Sequence, residues 1–259
     1  MRANSVLGES AVHNYYKKKD TEPKLQQRTR KLVKMSKKIV VFAPHPDDET
    51  WGCGGTIAKK IREGYEVLIV VITDGRHLFR SVGIDRDPTP EEVKKIRREE
   101  VLRAIKVLGA SRNNLVFLDF EDGALEKYEK EVEERIIEIL REYSPAEVFF
   151  PYIKDGHPDH RVTNRVVKRC LQRLGLKPIQ YQYSIAHKHA YIGPVIERLL
   201  SLIRQHKIKI DISEFLDIKE KAVKEFKYEI SIISSQQKKP IEKNLGRYLK
   251  NREIFYICK

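Results

Sequence analysis

The stretch Val40-Val41-Phe42-Ala43-Pro44-His45-Pro46-Asp47-Asp48-Glu49 decides the fold. An apolar run stops abruptly in a histidine and three acids, and Gly52, Gly54 and Gly55 follow. A buried strand ending this way delivers an imidazole and carboxylates to its carboxyl end, where open α/β sheets place their sites. A second cluster, His157-Pro158-Asp159-His160, follows the apolar run Glu147–Tyr152. Two such clusters, each behind a strand, point to a metal-dependent hydrolase.

Working outward, strand and helix signals alternate. Lys38–Pro44, Glu66–Thr73, Leu115–Phe120, Glu147–Tyr152 and Ile179–Ile185 are expected as strands, with Lys209–Ile212 and Ile254–Cys258 as short additions. Helices are expected at Gly55–Arg62, Thr89–Leu108, Glu126–Tyr143, Arg161–Leu174, Pro194–His206 and Ser213–Ser234. Thr89 suits an N-cap, Pro90 a first helical turn, and Gly109 a stop. This alternation implies right-handed βαβ units. The expected class is α/β: a Rossmann-like, mostly parallel sheet with helices on both faces. It forms a single domain over 38–259, behind a basic N-terminal extension at 1–37 that carries at most a short helix around Leu25–Met35.

Composition narrows the setting. The chain has 259 residues and a formal net charge of +14. That length suffices for a substantial core without staples. Cys53, Cys170 and Cys258 are scattered and form no C-x-x-C pair, which argues against a disulfide framework and fits a reducing compartment. No apolar run approaches the roughly 20 residues that cross a bilayer. The polar N-terminus lacks a signal-peptide core, so a cytoplasmic location is expected. A nucleotide-binding Rossmann domain is excluded, because three acids occupy the turn where a pyrophosphate would sit.

In the first cluster, one of Asp47 and Asp48 can join His45 on a metal while its neighbour points toward the reacting centre. His160 would complete a three-ligand set, which in catalytic zinc sites leaves a position for water. The metal brings the pKa of such a water to roughly 7, and a nearby carboxylate can take its proton. His157 would stabilise a developing oxyanion or protonate a departing amine. Asp159 would accept a hydrogen bond from an imidazole and orient it.

With these residues in place, the chain resembles the LmbE-like, or PIG-L, family of zinc-dependent N-acetylglucosaminyl deacetylases. The resemblance is carried by Ala43-Pro44-His45-Pro46-Asp47-Asp48-Glu49 and by His157-Pro158-Asp159-His160. It extends to Gly54-Gly55-Thr56-Ile57, Thr73-Asp74-Gly75, Arg97-Arg98-Glu99-Glu100, Leu108-Gly109, Asp122-Gly123 and Asp211-Ile212-Ser213. It implies Zn2+, or another divalent metal, bound by His45, Asp48 and His160. It also implies Asp47 as general base and His157 as the group that helps the tetrahedral intermediate form and collapse. The implied substrate is an N-acetylated amino sugar or its glycoconjugate, losing its acetyl group, and the implied assembly is a homo-oligomer.

Asp74, Arg76, Arg80 and His187 are candidates for substrate contact, since all follow strands toward the same sheet edge. Asp74 suits a turn equally well, and Arg76 and Arg80 suit a solvated basic loop. His189 belongs with His187, whereas Cys53 and Trp51 are expected in the core. Arg97 and Glu100, three apart on their helix, are expected to make a helix-surface or helix–loop ion pair. The competing function is a polyanion- or nucleic-acid-binding protein acting through 1–37, where Lys and Arg outnumber acids. No nucleic-acid-binding motif supports it, and it leaves both His/Asp clusters idle.

Overall fold

The computed structural model describes residues 37–84, 87–185 and 206–257. In chain order the elements are β1 (Lys38–Ala43), α1 (Asp48–Arg62), β2 (Glu66–Thr73), α2 (Pro90–Val107), β3 (Leu115–Phe120), α3 (Glu129–Tyr143) and β4 (Glu147–Pro151). There follow α4 (Pro158–Arg173), β5 (Ile179–Tyr183), β6 (His206–Asp211), α5 (Leu216–Val223), α6 (Lys227–Ile230) and β7 (Arg252–Ile257). Short 3-10 turns punctuate the loops. The seven strands form one sheet in the order β3-β2-β1-β4-β5-β7-β6. Strands β1 to β5 pair in parallel, and β7 runs antiparallel to both β5 and β6. This is the expected α/β sheet with helices on both faces, bearing an antiparallel edge.

Alternation along β1 sorts its side chains. Ile39, Val41 and Ala43 face one core, with Ile57 of α1, Val101 and Ile105 of α2, and Ala222 of α5. Val40 and Phe42 face the other, with Val132 and Ile136 of α3 and Val162 and Val166 of α4. All five strand residues are fully buried, and such burial stabilises by about 1.5–3 kcal/mol for a large aliphatic side chain.

Helix boundaries differ from expectation in instructive ways. Helix α1 starts at Asp48 rather than Gly55, so its glycines lie inside a helix and not in a turn. Their small size serves packing: a Cβ on Gly55 would lie 2.3 Å from Ile212 Cδ1, and one on Gly52 would lie 2.6 Å from Tyr183 Cδ2. Helix α4 likewise starts at Pro158, inside the second cluster, with His157 as its N-cap. The expected helix 213–234 divides into a 3-10 turn, α5 and α6, because the chain turns to bury Phe226 completely. At α2 the expectation holds, with Thr89 and Glu92 forming a reciprocal capping box. The extension 1–36, the segment 186–205 with His187 and His189, and Cys258 lie outside the described residues. So does most of the expected helix Pro194–His206, whose last residue opens β6.

One buried ion pair ties α1 to the antiparallel edge. Lys219 Nζ of α5 lies 2.6 Å from Glu253 Oε1 of β7 and donates to the Trp51 carbonyl at 2.9 Å. Glu253 in turn accepts the Gly55 and Thr56 N–H groups at 2.9 and 2.8 Å. Trp51 and Gly55 are i−4 partners, so the pair clasps one rung of the helix carrying the first cluster.

Candidate active site

The chain runs β1-β2-β3 outward on one side of β1 and places β4 on its other side. The sheet therefore reverses between β1 and β4, and ligands of open α/β sheets bind in the crevice beyond such a point. His45 follows β1, and His157 and His160 follow β4, so the two clusters flank that crevice. Thr73, the last residue of β2, donates its N–H and hydroxyl to the Pro44 carbonyl, both at 2.8 Å, and holds the turn that presents His45.

Three donor atoms converge there. His45 Nδ1 and His160 Nε2 each lie 3.1 Å from Asp48 Oδ2, and the two nitrogens are 3.2 Å apart. Donors bound at ordinary zinc distances in a tetrahedron stand about 3.3 Å apart. Two imidazole nitrogens and a carboxylate oxygen at these separations could hold one cation between them. The far nitrogens are engaged as such a role demands. His45 Nε2 faces Asp159 Oδ2 at 3.2 Å and Asp122 Oδ1 at 3.3 Å, and His160 Nδ1 faces Asp155 Oδ1 at 3.3 Å. On a neutral ring each carboxylate would favour the proton on the far side, leaving the near lone pair toward Asp48. Other groupings able to hold an ion share His45: one with His157 and His160, another with Asp122 and Asp159. The triangle with Asp48 is favoured because its edges match a metal's first sphere.

Without a metal, charges balance through protons. Burial opposes a proton on His160, but Asp48 and Asp155 outweigh it and raise its pKa to about 9. Burial likewise opposes protonation of His45, and Asp122, Asp159 and Asp48 hold its pKa well above the usual range. His157 behaves oppositely: burial and the cationic charge on His45 and His160 push it down to about 4. Its ring stands edge-on to His45, centroids 4.5 Å apart, and its Nδ1 accepts the Asp159 N–H at 3.2 Å. His157 is therefore a neutral imidazole whose Nε2 carries the proton.

Asp47 and Asp48 diverge, as neighbours in a turn must. Asp48 enters the donor triangle, while Asp47 turns toward α2. Asp47 has φ 147, a left-sided conformation uncommon for a residue with a side chain. Its N–H donates to Glu49 Oε2 at 3.1 Å. Burial raises the Asp47 carboxyl above its ordinary value even though Arg97 pulls the other way. Arg97 Nη2 lies 2.7 Å from Asp47 Oδ2, 2.8 Å from Glu229 Oε1 and 2.5 Å from the Pro46 carbonyl. Gly75, at φ +67, makes room for it, since a Cβ there would lie 2.7 Å from Arg97 Nη1.

The structure corrects the surface placement expected for Arg97 and Glu100. They are 2% and 1% exposed. Val93, Val101, Ala104 and Ile105 set the buried stripe of α2, and both charged residues fall in phase with it. That phase was the available signal. Sequence reasoning also missed Asp155 and Glu229 as site residues, and treated Asp122 only as part of a family pattern. Asp122 and Asp155 lie just past β3 and β4, at the edge where the other acids gather.

The remaining candidates lie nearby in the chain. Asp74 is buried and accepts from the Arg76 backbone N–H at 3.2 Å and from Arg76 Nε at 2.7 Å. Arg76 also meets Glu91 at 2.9 Å. Arg80 is exposed on the 3-10 turn Leu78–Val82. Asp159, besides meeting His45, accepts the Gly123 and Leu125 N–H groups at 2.8 and 3.2 Å. Trp51 is core, edge-on to Tyr248 with centroids 4.5 Å apart.

Comparison with known proteins meets the same segment. Residues 40–171 match the family model for PIG-L, GlcNAc-PI de-N-acetylase. The chain belongs to this family. Among similar PIG-L relatives, the diacetylchitobiose deacetylase of Thermococcus kodakarensis is 31% identical over 194 residues, covering 73% of this chain and 68% of that one. A probable N-acetyl-alpha-D-glucosaminyl L-malate deacetylase 2 of Bacillus cereus is 29% identical over 180 residues, covering 67% and 80%. The structure of N,N'-diacetylchitobiose deacetylase from Pyrococcus horikoshii superposes with a TM-score of 0.56 at 25% identity, covering 80% of each chain. The PIG-L match contains both clusters, together with Arg97, Asp122 and Asp155, and stops short of α5, α6 and β7. No helix among the described residues is long and apolar enough to cross a membrane.

Proposed function

We propose that this protein is a zinc-dependent N-deacetylase that hydrolyses the acetamide of an N-acetylated amino sugar, of the N-acetylglucosamine type, or of a glycoconjugate. The observation that carries the reading is the donor triangle of His45, Asp48 and His160 inside a PIG-L family domain. Those three residues would hold the metal. Two imidazoles with one carboxylate suit zinc and admit other divalent ions. Bound there, the metal would supply a Lewis acid that acidifies water and polarises the amide carbonyl.

The chain's own residues divide the remaining work. Asp47 stands beside the triangle with its carboxylate held by Arg97, takes the proton of the attacking water and passes it to the departing amine nitrogen as the C–N bond breaks. His157 Nδ1 accepts the Asp159 N–H at 3.2 Å, so a neutral His157 ring carries its proton on Nε2. Its Nε2–H donates a hydrogen bond to the oxygen on which charge develops. Of the two roles open to His157, oxyanion stabilisation is the one this tautomer supports. Asp159 and Asp122 hold the His45 ring, and Asp155 holds His160. Asp74 closes its turn through Arg76, and Arg80, with His187, is assigned to the substrate side.

We assign the deacetylase domain to 38–259, with 1–37 as a basic N-terminal extension. The described cysteines, Cys53 and Cys170, are free and buried, which suits a cytoplasmic setting. The test is acetate release from N-acetylglucosamine, N,N'-diacetylchitobiose and an N-acetylglucosaminyl malate, with zinc added and with chelator. Zinc-dependent release from at least one sugar is expected. Absence of release from all three by zinc-loaded protein would overturn the reading.

A further inference from the structure

Glu229 has no place in the chemistry above, yet it reaches the centre of the site from the far end of the chain. Arg97 Nη2 is shared between Asp47 Oδ2 at 2.7 Å and Glu229 Oε1 at 2.8 Å. Glu229 is 7% exposed and Arg97 2%, so water does not replace either partner readily. The turn that carries Glu229 is itself pinned. The Tyr228 N–H donates to Glu100 Oε1 at 3.0 Å, and the Glu242 N–H donates to the Glu229 carbonyl at 2.9 Å. Arg97 and Glu100 sit about one turn apart on α2, so one helix face grips both the backbone and the side chain of α6.

We infer that Glu229 is a positioning residue for the Asp47 carboxylate, acting through the Arg97 guanidinium that both share and through its own contact with Asp47. The inference rests on the deacetylase reading for what Asp47 does. A long guanidinium bound only to Asp47 could swing with it, and each freed rotor would widen the range of carboxylate positions. A second acceptor on a different element removes that freedom. Asp47 needs such support, because its φ of 147 lies outside the wells in which ordinary residues settle. The Pro46 carbonyl, also on Nη2, belongs to the same turn as Asp47 and cannot serve as an outside reference, and the Gly75 carbonyl accepts only from Nη1, at 3.4 Å. Glu229 can serve as that reference, and it lies beyond the segment matched by the family model.

The experiment uses full-length, zinc-loaded protein and N,N'-diacetylchitobiose, comparing wild type, Glu229→Ala and Glu229→Gln. Glu229→Ala is expected to lower kcat by about 10-fold to 100-fold, the scale of a small misplacement of a reacting group, with KM changed less than about twofold and zinc content unchanged. Glu229→Gln keeps an oxygen that accepts from Arg97 and is expected to recover most of that loss. A kcat for Glu229→Ala within twofold of wild type would overturn the inference. So would equal kcat losses in both variants accompanied by equal losses of Tm. A second readout avoids catalysis: in metal-free protein the Tm changes of Glu229→Ala and Asp47→Asn should depart from additivity in the double variant by about 2 °C or more. Additive changes would overturn the coupling of Glu229 to Asp47, by either route. A wild type that releases no acetate would sink the deacetylase reading alone, because the thermal cycle still decides whether the two residues communicate.

Discussion

His45 and Asp159, from opposite sides of the sheet's reversal, meet at 3.2 Å between Nε2 and Oδ2. Asp159 is 1% exposed and also accepts two backbone N–H groups, so it is a fixed post against which the imidazole is set. Removing that post should affect the metal more than the fold. Asp159→Ala is expected to weaken zinc binding by about 10–100-fold, measured by competition with a chromogenic chelator. Unchanged affinity would mean that His45 is oriented by Asp122 alone.

The two adjacent aspartates should separate cleanly on substitution. Asp47→Asn is expected to retain zinc and lose about 10²–10⁴-fold in kcat, the usual contribution of a general base. Asp48→Asn should lose zinc and activity together. Metal analysis alongside acetate release distinguishes the two, and zinc loss in Asp47→Asn would reverse their assignments.

Metal uptake should expel protons. In the metal-free fold His160 keeps its proton up to about pH 9, well above the ~6.5 of an exposed histidine. Its contribution to stability is therefore complete below about pH 6.5 and is lost as pH rises through about 9. The Tm of metal-free protein should fall across that window, while zinc-loaded protein, whose His160 is neutral as a ligand, should lack this fall. Titration of zinc near pH 7 in buffers of different ionisation enthalpy should report release of one or more protons. No release would place the metal away from these imidazoles.

Lys219 and Glu253 make a different demand. Their side chains are 2% and 4% exposed, and a buried pair that loses one member strands the other charge. Lys219→Met should destabilise by about 3–5 kcal/mol, read from denaturant unfolding. A loss under about 1 kcal/mol would mean that water reaches Glu253 in the variant.

How far the sequence carried the picture depends on what each residue answers to. Strands β1, β2 and β4 are legible because they are buried on both faces and are written as unbroken apolar runs. The convergence of His45, Asp48 and His160 was legible because both clusters sit directly behind such runs. The start of α1 was not, since Gly52, Gly54 and Gly55 carry the local signature of a turn while the true constraint on Gly52 and Gly55 is the nearness of Tyr183 and Ile212. The depth of Arg97 and Glu100 was hidden for a related reason. A charged pair three apart on a helix suggests solvent, and the partners brought by the first cluster and by α6 make burial tolerable. Glu229 had no local signal at all, as its partners lie more than a hundred residues earlier in the chain.

The clasp of Lys219 and Glu253 on the Trp51–Gly55 rung has a consequence for synthesis. Vectorial translation delivers all three converging donors by the time residue 160 is made, whereas the acid that locks α1, the helix of Asp48, comes with β7. Donor assembly and helix locking are therefore separate events in time on the ribosome, with α5 waiting in between. Arrested chains that stop before Arg252 should protect α1 amides from exchange less than chains extending through Ile257, and equal protection would remove the interval.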